Sequence, residues 1–261
     1  NLLVERNSNS IIPAISKRGL RYDLTVPFAR FVVMNQHVLN FPFKRYQIQP
    51  VWRADRPQKG RYQEFYQCDA DMVGSDSLSY EAELIQIYDR VFSELKIPVI
   101  IKYNKRKILF GIAEKAEITS KFVEMTTALD KLDKIGWEGV EKELTERNIN
   151  KESIDIIKKV LEQKDLEAVG QILNDCEQGY KGYEELKQII YYLQKYTTTN
   201  KISFDISLAR GLNYYTGSIL EVVAKDADMG SIGGGGRYDN LTGFFGMPGV
   251  SGVGISFGAE R

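Results

Sequence analysis

The sequence predicts an α+β fold, a mainly antiparallel β-sheet flanked by helices and interrupted by an all-helical insertion. Two alternating runs, residues 46–52 and 61–72, flank turn-forming residues 57–60 and read as paired strands. Residues 109–198 turn Lys- and Glu-rich and carry successive apolar stripes at helical spacing. Strand alternation then resumes at residue 201. The expected organisation is therefore a first sheet part over 1–108, a helical insertion over 109–198, and a second sheet part over 199–261.

Residues 1–19 are polar, weakly patterned and read as a loop. Residues 20–27 read as a short strand stopped by Pro27, followed by a helix to about Asn35. Asp23 and Thr25 share one face of that strand, and they would serve equally well as caps of the helix. In the hairpin, Gln47, Gln49, Arg53 and Asp55 point one way and Tyr46, Ile48 and Trp52 the other. On the second strand Arg61, Gln63, Gln67, Asp69 and Asp71 share a face interrupted by Phe65, with Tyr62, Tyr66, Cys68 and Met72 opposite. Alternation alone makes the polar face a wet outer surface. Its mixture of Arg, Gln and Asp instead suits the gripping of phosphate, amine and imidazole.

Beyond the hairpin, Leu84, Tyr88, Val91 and Leu95 mark a helix over 79–95, and 97–103 is rich in strand formers. The insertion's stripes are Phe122, Met125, Leu129 and Leu132, then Ile154, Ile157 and Leu161, then Leu186, Ile189, Ile190 and Leu193. Each is read as packing. Residues 201–209 alternate strictly, and Arg210 continues their apolar face, where burial requires an anionic partner or a ligand. A strand follows over 218–224. Four consecutive glycines, 233–236, permit positive φ and a close approach of backbone to ligand, or a flexible turn. Residues 252–258 form an apolar strand with alternate glycines, leading into a helix whose first turn holds Arg261. A cation there calls for a nearby anion. That helix has barely begun at residue 261, as expected for a piece of a longer protein.

Composition narrows the chemistry. The 35 Lys and Arg residues balance the 35 Asp and Glu residues, so attraction to a polyanion must be local. Lys44, Arg45, Arg53, Arg56, Lys59 and Arg61 against Asp55 form such a local patch. Cys68 and Cys176 have no metal-ligand spacing and point to reduced thiols in a cytoplasmic protein. His37 is the single histidine, which leaves no base for a Ser/His/Asp triad and no multi-histidine zinc site. No apolar run approaches the roughly 20 residues of a membrane span. Arg53, Arg61, Arg210 and Arg261 sit on or beside strands among glycines and carboxylates, as binding and transfer at phosphate require. No Walker A loop or dinucleotide fingerprint accompanies them.

Together these stretches resemble the histidyl-tRNA synthetase family of class II aminoacyl-tRNA synthetases, over essentially the whole chain. Residues 53–71 are similar to the class II motif 2 hairpin and 252–261 to motif 3. Leu208-Ala-Arg-Gly-Leu-Asn-Tyr-Tyr-Thr-Gly217 resembles a signature peculiar to the histidine enzymes, and Arg21-Tyr-Asp-Leu-Thr25 matches as well. The resemblance implies a class II-like sheet and two reactions at one site. Histidine and ATP, brought with its own Mg2+, give histidyl-adenylate, and the histidine tRNA then takes the aminoacyl group.

The resemblance also implies roles. Arg53 holds the α-phosphate, Arg261 the adenine and γ-phosphate region, with Arg61 and Tyr62 also on ATP. Arg210 faces the carboxylate and α-phosphate, making Arg53 and Arg210 the catalytic pair. Asp23, Thr25 and Gln67 receive the α-amino group, and Asp71 with Tyr215, beside Tyr214, receives the imidazole. Arg56 and Gln58 meet the tRNA acceptor end, and the full-length protein is a homodimer. Residue 213 is Asn where the family more often has Asp. Motif 1 is not recognisable in residues 1–19, and no anticodon-binding domain follows residue 261. Two rivals remain: a non-catalytic relative on the same fold, and a helical interaction module carried by an idle sheet.

Overall fold

The structure is a computed structural model that describes residues 11, 12, 15–58, 60–211, 214–227 and 229–261. Its seven strands are β1 (Phe43–Trp52), β2 (Glu64–Val73), β3 (Val99–Lys105), β4 (Lys201–Phe204), β5 (Ser218–Ala224), β6 (Gly233–Arg237) and β7 (Gly252–Gly258). They form one sheet in the order β1-β2-β7-β6-β5-β3-β4. Every neighbouring pair is antiparallel except β3 with β4. Parallel neighbours cannot be joined by a hairpin and need a crossover. Here the crossover is the helical run α3 (Arg106–Lys115), α4 (Phe122–Leu129), α5 (Leu132–Glu146), α6 (Lys151–Leu161), α7 (Leu166–Ile172) and α8 (Glu177–Leu193). Two further helices, α1 (Thr25–Asn35) and α2 (Ser79–Glu94), flank the strands of the hairpin.

The three stripes expected of the insertion are packing surfaces. Phe122, Met125, Leu129, Ile154, Ile157, Leu186, Ile189 and Leu193 are buried, in one apolar cluster with Val99, Ile101, Leu220 and Ile255 of the sheet. A smaller cluster packs Phe28, Ala29 and Val32 of α1 against Val73, Tyr238 and Leu241. These two clusters grip the sheet and leave the polar faces of β2 and β7 turned towards a cavity.

Three local expectations are corrected. No strand forms over 20–27; α1 begins at Thr25, and the chain before it is pinned to β1 by Trp52 N–H on Arg21 O and Arg21 Nε on Pro50 O. The Asp23 side chain accepts the Val26 N–H at 3.2 Å, and Pro27 falls in the first helical turn, where no N–H is required. The strand expected over 201–209 ends at Phe204, because the buried Asn104 amide donates to Ile206 O and Leu208 O, both at 3.0 Å, and holds a turn there. The glycine run is a strand, β6, without positive φ. Arg261 closes a turn after β7, its N–H on Gly258 O at 3.1 Å.

The hairpin also inverts the simple expectation of a wet polar face. Its apolar face is the exposed one, with Tyr46 at 81% and Ile48 at 58% exposure. Gln67, Asp69 and Asp71 on the polar face are buried. Covering carboxylates while leaving aromatic surface in water runs against transfer energetics, and therefore points to a use for the polar face.

Candidate active site

β2 lies between β1 and β7 with Gln67 opposite Gln49 and Gly258, Asp69 opposite Gln47 and Ser256, and Asp71 opposite Arg45 and Gly254. Above this face opens a cavity of about 390 Å³. Asp23 and Thr25 wall it from the entry to α1, Arg53, Arg61 and Tyr62 from the β1–β2 connection, and Gln67 floors it. Tyr214 and Tyr215 close one end, and Arg261 borders the other side with Gly60 and Ser231. Nine of the residues singled out from sequence thus meet around one space, although the chain separates them by more than two hundred positions.

Arg53 is clamped between the rings of Tyr22 and Phe65, 4.5 and 5.0 Å from their centres. Its Nε donates to Tyr22 O at 3.2 Å and its Nη2 to Gln67 Oε1 at 3.5 Å. Arg261 donates to two carbonyls, Gly60 O and Ser231 O. Burial lowers its pKa, and repulsion from Arg61, Arg210 and Arg53 lowers it further. Arg61 lies 3.8 Å from Asp55 in a loose, half-exposed ion pair. This corner concentrates guanidinium groups on few carboxylates, the electrostatics of a polyphosphate site.

The opposite end is acidic and aromatic. Asp71, 2% exposed, accepts the Tyr238 hydroxyl at 2.6 Å and stands 2.9 Å from Arg45 Nη2. Burial pushes its pKa up to about 7 against the pull of Arg45 and of the Tyr238 hydrogen bond, with Asp69 and Asp23 adding to the push. Asp69 is pushed up to about 6, again chiefly by burial. Burial also raises Asp23, outweighing the Val26 N–H, Arg53 and Arg45. Tyr214 OH donates to Tyr215 OH at 3.1 Å, with ring centres 4.4 Å apart. Burial raises both phenols, that of Tyr214 to about 12.

Bare backbone lets these groups come close. A Cβ on Gly254 would sit 2.0 Å from Asp71 Oδ1, and one on Gly236 would meet Ser218 O at 2.4 Å and the Tyr215 ring at 2.8 Å. The need is for space, and not for the positive φ that the run 233–236 also suggested. Behind Tyr215 lies a buried network. Arg237 donates from Nε and Nη2 to the two oxygens of Glu81, which also accepts Ser218 Oγ. Asp239 accepts Thr216 Oγ1 at 2.6 Å and returns its own N–H to that oxygen at 2.9 Å.

Four expected site residues do not line the cavity. Asp71 is one layer below it, screened by Tyr238 and Gly254, which do line it. Arg210, moved off the expected strand by the turn after Phe204, ion-pairs with Glu221 and lies 3.5 Å from Asp130 at the end of α4. Its charge is still felt at Arg261. Arg56 and Gln58 are exposed in the connection, where the backbone of Gln58 pairs with that of Arg61. Lys59 of the basic patch and Asn213 lie outside the described residues, as do residues 1–10.

Sequence reasoning missed Tyr238, Arg45 and Ser256. Tyr238 follows the glycine run directly, and that adjacency was the available signal. Arg45 shares the β1 face of Gln47 and Gln49, one step before the alternation was counted. Among the described residues no group of three or more His, Cys, Asp or Glu side chains is placed to hold a metal ion, and no helix is long and apolar enough to cross a membrane.

Comparison with known proteins places this geometry. The family model described as histidyl-tRNA synthetase matches residues 15–261. A histidine–tRNA ligase of Bacteroides fragilis (strain YCH46) is 58% identical over 264 residues, covering 99% of this chain and 58% of that protein. The chain therefore spans little more than half the length of such relatives. A crystal structure of histidyl-tRNA synthetase from Nostoc sp. PCC 7120 is similar with a TM-score of 0.83 at 32% identity, covering 92% of this chain and 58% of that one. A structure from Bacillus halodurans C, described as an ATP phosphoribosyltransferase regulatory subunit/histidyl-tRNA synthetase, matches with a TM-score of 0.80 at 18% identity, covering 96% and 69%. At that identity the likeness is one of fold.

Proposed function

We infer, since this chain belongs to the histidyl-tRNA synthetase family, that it is the catalytic core of a histidine–tRNA ligase, an ATP-dependent aminoacyl-tRNA ligase. The observation that carries the reading is the polarity of one cavity, with guanidinium groups at one end and a buried carboxylate–tyrosine layer at the other. In the first step a histidine carboxylate oxygen attacks the α-phosphorus of ATP, forming histidyl-adenylate and releasing pyrophosphate. In the second, a terminal ribose hydroxyl of the histidine tRNA attacks the aminoacyl carbon, and AMP leaves.

In this reading Arg53 grips the α-phosphate, while Arg61, Tyr62 and Arg261 take the rest of the nucleotide, which brings its own Mg2+. Fixed cations aimed at the phosphate stabilise charge that grows in the transition state. Asp23, Thr25 and Gln67 receive the α-ammonium. Asp71, acting with Tyr238, and Tyr214 with Tyr215 receive the imidazole. Arg210 reaches the α-phosphate by exchanging Glu221 and Asp130 for substrate, and Arg56 and Gln58 meet the tRNA end. The sequence division into 1–108, 109–198 and 199–261 is retained as the working domain scheme. The protein is cytoplasmic and acts as a homodimer, in which the exposed Tyr46 and Ile48 are candidates for cover.

Histidine-dependent exchange of pyrophosphate into ATP tests the first step. The reading expects exchange that Arg53→Ala lowers by roughly a hundredfold to a thousandfold, the usual effect of removing a transition-state donor. Histidine binding without exchange would favour a non-catalytic relative on the same fold. Equal exchange in wild type and Arg53→Ala would remove the assigned role of Arg53.

A further inference from the structure

Asp69 lies beneath the cavity floor, beside Gln67 on β2, and no role has been given to it. It is 3% exposed, and its Oδ1 has no hydrogen-bond partner. On β2 it shares the face of Gln67, and it stands directly opposite Ser256 of β7. Gln67 and Ser256 both line the cavity, and Gln67 Nε2 donates to Ser256 Oγ at 2.7 Å. Across the strand pair the Ser256 hydroxyl is the group placed to give its proton to the Asp69 carboxylate, and its nearness holds that carboxyl's pKa down. The three side chains therefore form a short relay from a buried charge to the cavity surface.

The direction of that relay follows from donor and acceptor chemistry. An ionised carboxylate accepts only, so the Ser256 O–H must donate to Asp69. The Ser256 oxygen is then left to accept, and the Gln67 amide must turn its NH2 to it. Gln67 Oε1 is thereby left for the cavity side, where its present neighbour is Arg53 Nη2 at 3.5 Å. Protonating Asp69 removes the constraint. Ser256 is then free to donate to Gln67, which presents NH2 to the cavity and repels an ammonium group.

We propose that Asp69 is a positioning residue for the amino-acid substrate: through Ser256 it fixes the Gln67 amide with its oxygen towards the cavity, making that oxygen an acceptor for the substrate's α-ammonium. The inference rests on the histidine-activating reading given above. The charged and titratable groups around Asp69 are Asp23 from the entry to α1, Arg45 of β1, Arg53 after β1, Cys68 and Asp71 of β2, Tyr88 of α2 and Tyr214 before β5. Burial and Asp23 hold Asp69 up, at about 6, while Ser256, Arg45 and Arg53 pull it down. The relay is accordingly set at neutral pH and released in mild acid.

The test compares the dissociation constants of histidine and of 3-(imidazol-4-yl)propanoate, which differ only in the α-ammonium group, by titration calorimetry on this chain. Wild type prefers histidine near neutral pH, and the preference falls roughly fourfold between about pH 7.5 and about pH 5.5, as one carboxylate with a pKa of about 6 is protonated. Asp69→Asn lowers the neutral-pH preference by roughly tenfold to a hundredfold, the range for losing a hydrogen bond to a charged group, and makes it flat with pH. Ser256→Ala breaks the same relay from the other strand and does likewise, while Asp69→Glu restores the pH response.

A wild-type preference that does not change with pH overturns the inference, whether or not the variants fold. An Asp69→Asn protein that weakens both ligands equally also overturns it, since that is a structural effect. Histidine preference intact in Asp69→Asn refutes the relay while leaving histidine activation standing. A wild-type chain that binds neither ligand refutes both.

Discussion

Asp69 and Asp71 lie side by side on one strand face with little water to share, and burial holds both above the ordinary carboxylate range. A carboxyl whose folded pKa is raised favours the fold in its neutral form. Their contribution to stability is complete below the ordinary value of 3.8 and is lost as pH rises through about 6 and about 7. Thermal melts of the ligand-free chain should show this loss between about pH 4 and about pH 8, and Asp69→Asn should raise Tm by a few degrees at the alkaline end. The same substitution weakens substrate selection, so stability and function pull apart at this residue. Gly254→Ala acts the other way: its Cβ would fall 2.0 Å from Asp71 Oδ1, and the expected loss is about 1–3 kcal/mol in urea unfolding together with weaker histidine binding. The grouping of Gln67, Asp69 and Asp71 was legible in period-2 alternation. Their depth was not, because depth depends on β7 and α1 arriving from elsewhere in the chain.

The β1–β2 hairpin carries polar residues inward and Tyr46 and Ile48 outward. Alternation splits a strand into two faces without saying which is covered, so the hairpin was found and its orientation was not. Arg210 shows the complementary limit. Its apolar alternation over 201–209 is regular, but the buried Asn104 amide bends the chain after Phe204 and sends the guanidinium to Glu221 and Asp130. Behind the tyrosines, the Arg237–Glu81 pair ties β6 to α2 with both partners at most 5% exposed. Glu81→Ala leaves a buried arginine without its anion and should cost about 3–5 kcal/mol in urea unfolding. Thr216→Val removes the hydroxyl that bonds Asp239, and should raise KM for histidine several-fold with little change in stability, because it frees the segment carrying Tyr214 and Tyr215. An unchanged KM would show that the tyrosines are held by packing alone.

Across the whole molecule, the helices α3–α8 form the long connection between β3 and β4, the parallel neighbours of the sheet among the described residues. The helical run was plain in the sequence from its apolar stripes, whereas the parallel pairing that explains its position depends on the fold. The site draws on segments from residue 22 to residue 261 and becomes a single object only when the sheet closes in the order β1-β2-β7-β6-β5-β3-β4. The central claim is that this cavity has a phosphate end and an imidazole end. A crystal structure of the chain with histidine and a non-hydrolysable ATP analogue measures it directly. The expected result is the α-phosphate on Arg53, the imidazole against Tyr215 and the Tyr238–Asp71 pair, and Arg210 drawn away from Asp130 and Glu221. An imidazole lodged at the arginine end, or a nucleotide bound outside the cavity, would contradict it.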